Sequence, residues 1–418
     1  METRFLRVCF PSLYILALAG CCISCGGGKV NRDTVSSEFA LQNRSEIKVI
    51  DIGTAADLKT SDLVATSTFI KLESSERSFL GEISKCISHH DTLFVLDKQH
   101  TKAVYAFHVS GKFLFKVGTL GEAPGQYRSI SDFTIVPQAR HVAILDDRRQ
   151  RLVVYDFTGK LIKDFDIPKE TQVGVSQILY SNGRYFLYTN YTCIDASNCH
   201  NLIVTDLDGN TQVKEMRVPS KLENFGVYDS YNLSSSGDTV IYFNYTEDII
   251  YFISNNQIWA KYKIDFGGMK PDQFAVDISA DNIEDVYSNA SVNAYTLGVS
   301  YCSASKKFLI GRFTVFQRGV GFFVYDRHRS RVKWSTRIAS DSLGLLSTTI
   351  VGSEGNRVFC SFPSEMIDRM RVGFEKEPDY EEAYRIGTAN YGKRFMDVVV
   401  NSKLNDNPIL AVYEIRDN

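Results

Sequence analysis

A weak internal repeat with a period near fifty residues constrains this chain more than any other feature. It runs through 106–113, 155–161 and 205–211, where an apolar run enters a polar turn and a second alternating run leaves it. The turn glycines are Gly111, Gly159 and Gly209, spaced 48 and 50 residues apart. Glycine between two alternating runs marks a hairpin turn. A period of ~40–50 residues holding four short strands is that of a propeller blade.

Six blades follow along the chain, each an antiparallel meander from inner to outer strand. The first comprises 81–88, 92–96, 103–107 and 112–117, and the second 131–136, 142–145, 152–155 and 160–167. The third takes 175–179, 185–189, 202–205 and 211–218, and the fourth 227–233, 240–245, 249–253 and 257–264. The fifth takes 294–301, 307–313, 321–325 and 332–338. The sixth opens with 345–351 and 357–362, is interrupted, and resumes at 408–415. Its missing outer strand is expected from the N-terminal run 64–72, a closure that leaves no free edge in the ring. The expected fold is therefore all-β: a six-bladed β-propeller of four-stranded antiparallel blades, closed by an N-terminal strand, with helical insertions on one face. The aromatic share of 12% suits pleated surfaces.

The N-terminus reads as a targeting segment. Arg4 and Arg7 precede an apolar stretch at 10–20 that is too short to span a bilayer. It ends in Leu18-Ala19-Gly20-Cys21, which resembles a bacterial lipobox, cut before a cysteine that is then lipidated. The alternative is an ordinary secretory signal cut nearby. The expected organisation is a signal peptide at 1–20, lipidated Cys21 with a flexible tether at 21–45, and the propeller at 46–418. The tether has no early acidic cluster, its first acidic residue being Asp33, so periplasmic and cell-surface display stay open. Of nine cysteines, Cys193 and Cys199 flank a polar loop; a local disulfide and two free thiols are both open readings in an exported protein. Six apart is no zinc-knuckle spacing. Cys86, Cys302 and Cys360 sit in strand-like runs as small buried hydrophobes.

Four further stretches carry a specific resemblance: Ser61-Asp62-Leu63 leading to Phe69-Ile70-Lys71-Leu72-Glu73; Thr92-Leu93-Phe94-Val95-Leu96-Asp97 with its turn at Gly111; Gly118-Thr119-Leu120-Gly121-Glu122-Ala123-Pro124-Gly125-Gln126-Tyr127; and Asn407-Pro408-Ile409-Leu410-Ala411-Val412-Tyr413. Together they resemble the six-bladed β-propeller lipoproteins of Gram-negative bacteria, a family distantly similar to NHL-type propellers. The chain departs from that pattern at Ala123, where the family tends to have Gly, and at Gln126, where it tends to have Glu. The resemblance implies fold, export and a lipid anchor in the outer membrane, and assigns no reaction.

In a meander the first-to-second and third-to-fourth turns share one end of the blade, and the remaining connections share the other. The long excursions, 118–130, 191–201, 265–293 and 363–407, all fall at the second end. Long loops not needed for closure tend to carry function. Helix-like patterning is confined to these excursions, at 378–384 and around Phe395, Val398 and Val399, although Val398-Val399-Val400 also reads as strand.

No catalytic constellation is legible: there is no Gly-x-Ser-x-Gly elbow and no His-Glu-x-x-His. His89-His90-Asp91 and Asp146-Asp147-Arg148-Arg149 read as solvated turns. The loop at 118–127 precedes a strand rather than a helix, so it lacks the dipole of a phosphate site. The stretch 206–210 reads as a β-turn rather than a calcium loop. No cofactor is implied. The net charge of −2 suggests neither nucleic acid nor a polybasic membrane surface.

Two functions follow. The first is a non-catalytic module that holds a glycan, peptide or partner protein on the loop-rich face, with Tyr127, Arg128, Tyr228, Tyr231, Asn293 and Tyr295 near the starts of inner strands. The second is a metal-assisted propeller enzyme, a lyase or lactone hydrolase, for which Asp132, Asp229 and Asn293 are the available ligands.

Overall fold

Alternating apolar runs pair with their neighbours in sequence wherever a glycine or asparagine turn lets the chain reverse. The computed structural model describes residues 40–41, 47–167, 174–192, 199–223, 231–243, 247–271, 283–347 and 349–416. Four strands come first: β1 (Ala40–Leu41), β2 (Lys48–Asp51), β3 (Leu58–Lys59) and β4 (Val64–Lys71). Sheet one is β5 (Lys85–His89), β6 (Thr92–Asp97), β7 (Ala103–His108) and β8 (Phe113–Val117). Sheet two is β9 (Asp132–Val136), β10 (His141–Asp146), β11 (Arg151–Asp156) and β12 (Leu161–Asp166). Sheet three is β13 (Gln177–Ser181), β14 (Arg184–Tyr188), β15 (His200–Thr205) and β16 (Thr211–Arg217). Sheet four is β17 (Leu233–Ser236), β18 (Thr239–Phe243), β19 (Ile249–Ser254) and β20 (Gln257–Asp265).

Helix α1 (Ile283–Asn293) leads into sheet five, β21 (Thr296–Ala304), β22 (Phe308–Val315), β23 (Gly319–Asp326) and β24 (Arg331–Ser335), followed by short β25 (Ile338–Ala339). Sheet six holds β26 (Ile350–Glu354) and β27 (Arg357–Phe362). Helices α2 (Ser364–Glu375), α3 (Tyr380–Tyr391) and α4 (Lys393–Val400) then intervene before β28 (Ile409–Ile415). The order in sheet six is β26-β27-β28-β4, so its fourth strand comes from the other end of the chain.

The inner strands of sheets four and six differ most from the sequence reading; those of sheets one, three and five shift by two to four residues at an end. The first strand of sheet four is Leu233–Ser236 rather than 227–233, of which 227–230 lie outside the described residues. Its Leu-Ser-Ser-Ser sequence carries no apolar alternation; the hairpin at Gly237 sets its register instead, pairing Ser236 with Thr239. In sheet six the hairpin at Gly355 likewise moves the first strand to Ile350–Glu354. Asp379 caps α3 by accepting the Glu382 N–H at 3.0 Å. The ambiguous valine run is helical because Phe395, Met396 and Val399 share one face and bury it, Phe395 and Val399 joining the sheet-six core.

The repeat glycines have a double purpose. Gly111, Gly159 and Gly209 have φ of +90°, +84° and +89°, a region L-residues avoid. Each also presses on the fourth strand of the preceding sheet. A Cβ on Gly159 would lie 2.7 Å from the Lys116 carbonyl oxygen on β8, and one on Gly209 2.6 Å from the Phe165 ring on β12. One on Gly111 would strike the Lys71 carbonyl oxygen on β4. The N-terminal strand thus meets sheet one as β8 meets sheet two.

First strands lie side by side: β5 against β9, β9 against β13, β13 against β17, β17 against β21, and β26 against β5. Outside them, the N-terminal segment follows the outer edges of three consecutive sheets. β1 and β2 pair in parallel with β20, the Ala56 N–H donates to the Trp334 carbonyl at 3.0 Å, β3 pairs with β25, and β4 pairs with β28. Ile50, Ile52, Leu58, Leu63 and Val64 of this segment are buried. The outer strand of sheet four, which would otherwise be an open edge, is covered by β1 and β2. Ala40–Leu41, inside the stretch read as tether, therefore already belongs to a sheet.

Candidate functional site

The two ends of the sheets differ. At one, no turn within a sheet exceeds five residues; among the described residues every longer connection between sheet strands, with α1 to α4, lies at the other, while a single helical turn, Thr60–Leu63, leads into β4 at the first. On the loop-rich face, Tyr191, Cys199, Val218, Leu222, Val286, Ala290 and Leu297 form a satellite core against which Tyr295 and Phe316 pack. It ties α1 to the excursions of sheets three, four and five. Cys199 is disulfide-bonded, and its partner lies outside the described residues.

Where the first strands begin on this face, polar side chains converge on the axis. The Lys85 ammonium lies 2.7 Å from Asp132 Oδ1 and donates to the Phe133 carbonyl at 2.9 Å. Asp132 Oδ2 accepts the Ile178 N–H at 2.8 Å. The Asn232 N–H donates to Gln177 Oε1 at 2.8 Å, and Gln177 Nε2 returns a bond to Asn232 Oδ1 at 3.3 Å. Tyr231 reaches from sheet four to sheet one, its hydroxyl donating to the Ser84 carbonyl at 2.6 Å, with Lys85 Nζ 5.8 Å from its ring centroid. Its own N–H donates to the Ser300 carbonyl at 3.3 Å. The neighbouring Tyr301 hydroxyl lies 2.8 Å from Ser353 Oγ on β26, its pKa pushed up to about 12 by burial. These contacts link β5, β9 and β13 to the approach of β17 at this face, while the Tyr301–Ser353 pair joins β21 to β26 nearer the short-turn end. Asp132 and Lys85 neutralise each other within this axial belt, an arrangement that binds sheets together rather than presenting a free carboxylate.

The sequence-selected residues disperse. Tyr231 reaches the axis, as does Asp132. Tyr127 is fully buried between sheets one and two. Arg128 is exposed at the rim of the loop-rich face, paired with Glu122, which also meets Arg149 at 3.0 Å. The hydrogen bond from Arg128, then its charge, holds the Glu122 carboxyl below the usual range. Asn293 ends α1 and donates to the Asn289 carbonyl at 3.0 Å, and Tyr295 is half-buried in the satellite core. Tyr228, Asp229 and Cys193 lie outside the described residues.

One reading needs correction. The turn 146–149 is not simply solvated: Asp146 is buried and accepts the Arg128 N–H at 2.7 Å. Asp97 does the same for Gly81, at 2.8 Å. Both aspartates close the second strand of a sheet and hold the loop that enters it. The signal was present as Val95-Leu96-Asp97 and Ile144-Leu145-Asp146, one repeat apart. Among the described residues, no group of three or more His, Cys, Asp or Glu side chains is placed to hold a metal ion.

Meandering four-stranded sheets with neighbouring first strands define a β-propeller. The chain belongs to the family described as Domain of unknown function (DUF4934), whose model matches residues 47–414. Among curated proteins, none matches the sequence. A crystallised Bacteroides fragilis protein described as exported is similar at a TM-score of 0.70 and 15% identity, covering 88% of this chain and 100% of its own. A member of the DUF4221 family from Bacteroides vulgatus is similar at 0.50 and 9% identity, covering 85% and 97%. The WD40 repeats of RRP9 follow at 0.43 and 8% identity, covering 87% and 100%. At these identities the likeness is one of fold.

Proposed function

We propose that this chain is an exported lipoprotein, anchored in the outer membrane through acylated Cys21, whose six-bladed propeller is closed by β4 and binds a glycan, peptide or protein ligand on its loop-rich face. The observation that carries the binding reading is the asymmetry of the two faces: among the described residues every long connection between sheet strands, with α1 to α4, is at one end, above the axial belt. Loops beyond what closure requires are where propellers and other scaffolds place recognition. Closure is supported by the pairing of β4 with β28 and by the equivalent seats of Gly111 and Gly159. The anchor is supported by the Leu-Ala-Gly-Cys sequence, and a Cys193–Cys199 bond by the disulfide state of Cys199.

A screen of polysaccharide fragments and then peptides tests the face. Arg128→Ala and Tyr295→Ala should each weaken a captured ligand about thirtyfold if they contact it, the scale of a hot-spot truncation. Arg184→Ala, at a short turn of the opposite face, should leave it unchanged. A ligand lost with Arg184→Ala and indifferent to the other two would overturn the assignment. For the anchor, Cys21→Ala should move the protein out of the membrane fraction; wild-type fractionation would refute it.

A further inference from the structure

A net charge of −2 conceals a local cationic surface on the short-turn face of sheet five. Lys306 and Lys307 form its first turn, and Arg327, His328, Arg329 and Arg331 cluster at its third. Tertiary contacts make these one patch. Arg327 Nη1 donates to the Lys306 carbonyl at 3.3 Å, and Lys48, from β2, reaches Ser330 Oγ at 2.7 Å. Within these two turns the sole acidic residue is Asp326, which is buried, accepts the His328 and Arg329 N–H groups at 2.9 Å, and lies 3.5 Å from Arg329. Lys306, His328, Arg329 and Arg331 are exposed.

A second observation places this patch near the first described residues of the chain. β2 runs parallel to β20, from Lys48 opposite Tyr262 to Asp51 opposite Asp265, and β1 pairs with Gln257 and Ile258. β20 starts at the short-turn face. Ala40, the first described residue, therefore lies at that face, one sheet from the cationic cluster.

We propose that the sheet-five patch docks on an anionic phospholipid surface, turning the loop-rich face away from the membrane. Clusters of Lys and Arg near a membrane-attached segment gain from anionic headgroups, and a single anchoring device gains firmness from a second. The patch and the chain's direction select the same face, the one opposite to the ligand face proposed above. The direction argument rests on the anchored reading; the docking itself is tested without it.

The test uses the chain from Gly26 onward, which keeps every described residue and has no acylated Cys21. It should co-sediment with phosphatidylcholine vesicles containing about one third phosphatidylglycerol at low salt, and be released as salt shortens the Debye length. Lys306→Gln, Arg329→Gln and Arg331→Gln together should weaken this about a hundredfold. Arg369→Gln, Arg385→Gln and Lys403→Gln, three charges removed from the helical insertion, should have little effect. No binding to anionic vesicles, equal binding to pure phosphatidylcholine, or equal loss in both triple variants would each overturn the proposal. So would a protein that ignores vesicles and binds dextran sulfate through the patch, which would make it a polysaccharide site. If Cys21→Ala fails to release the native protein while this test succeeds, the anchor falls and the docking surface stands.

Discussion

At the scale of single residues, the repeat is held by one glycine and one polar side chain per turn. Gly159 combines positive φ with close approach to β8, whereas Gly183, at φ +75°, has nothing within 4 Å of an added Cβ. Gly183→Ala should cost about 1–2 kcal/mol, the left-handed penalty alone. Gly159→Ala should cost about 3 kcal/mol or more, because a neighbouring sheet must also move. Urea midpoints of the two variants check the order, and equal losses would show that the seat on β8 contributes nothing. Asp156 opens the same turn, accepting the Thr158 hydroxyl at 2.6 Å and the Thr158 and Lys160 N–H groups at 2.8 and 3.0 Å. These bonds, the Thr158 hydroxyl first, hold its carboxyl below the ordinary value. At Asp206 and Asp326 burial opposes ionisation, but donated hydrogen bonds outweigh it and their carboxyls are also lowered. A depressed folded-state pKa gives stability that is full above about pH 4 and lost as pH falls through the folded value. Asp156→Asn should therefore flatten the acid side of a stability–pH curve; an unchanged curve would remove this turn from the explanation.

At the scale of elements, the N-terminal segment is the piece most exposed to test. β4 supplies a full antiparallel partner to β28, from Ile409 opposite Lys71 to Ile415 opposite Val64. Without it, Leu410, Ala411 and Tyr413, all buried, would lie on an open edge. Deleting the chain through Leu72 should yield an aggregating protein, seen as high-mass species in light scattering. A truncated protein that stays monomeric with the parent's melting temperature would contradict a closing role. This pairing was legible in the sequence because one blade lacked a strand and one apolar run lacked a blade. The path of β1 to β3 around the rim was not, because runs of two to four residues carry no periodicity to read. Helix α1 did carry a signal: Ile283, Val286, Tyr287 and Ala290 recur at i, i+3, i+4 and i+7, and all four pack in the satellite core.

At the scale of the whole molecule, the axial belt couples the sheets. Lys85→Met should leave Asp132 buried without its cation and cost about 3–5 kcal/mol. Adding Asp132→Asn should recover part of that loss, since the amide oxygen still accepts the Ile178 N–H. Chemical denaturation of the two single variants and the double variant gives the coupling; strictly additive losses would mean that the pair does not act as one.

What the sequence by itself determined is the repeating unit. Alternation, glycine turns and their spacing are local properties, and they specify the four-stranded meander, the number of strands awaiting partners, and which connections are long. Two residues of the candidate site were also legible, Tyr231 and Asp132, because they immediately precede or begin inner strands. The tertiary structure alone decided where the others went. Tyr127 and Arg128 are adjacent in sequence, yet one is sealed between sheets and the other lies at the rim, because neighbouring residues at a strand approach point to opposite sides. It alone joined Lys85 to Tyr231, and Lys48 to the cationic turns of sheet five. Those meetings depend on how the sheets are arranged in space, an interaction among residues up to 282 positions apart for which no local pattern exists.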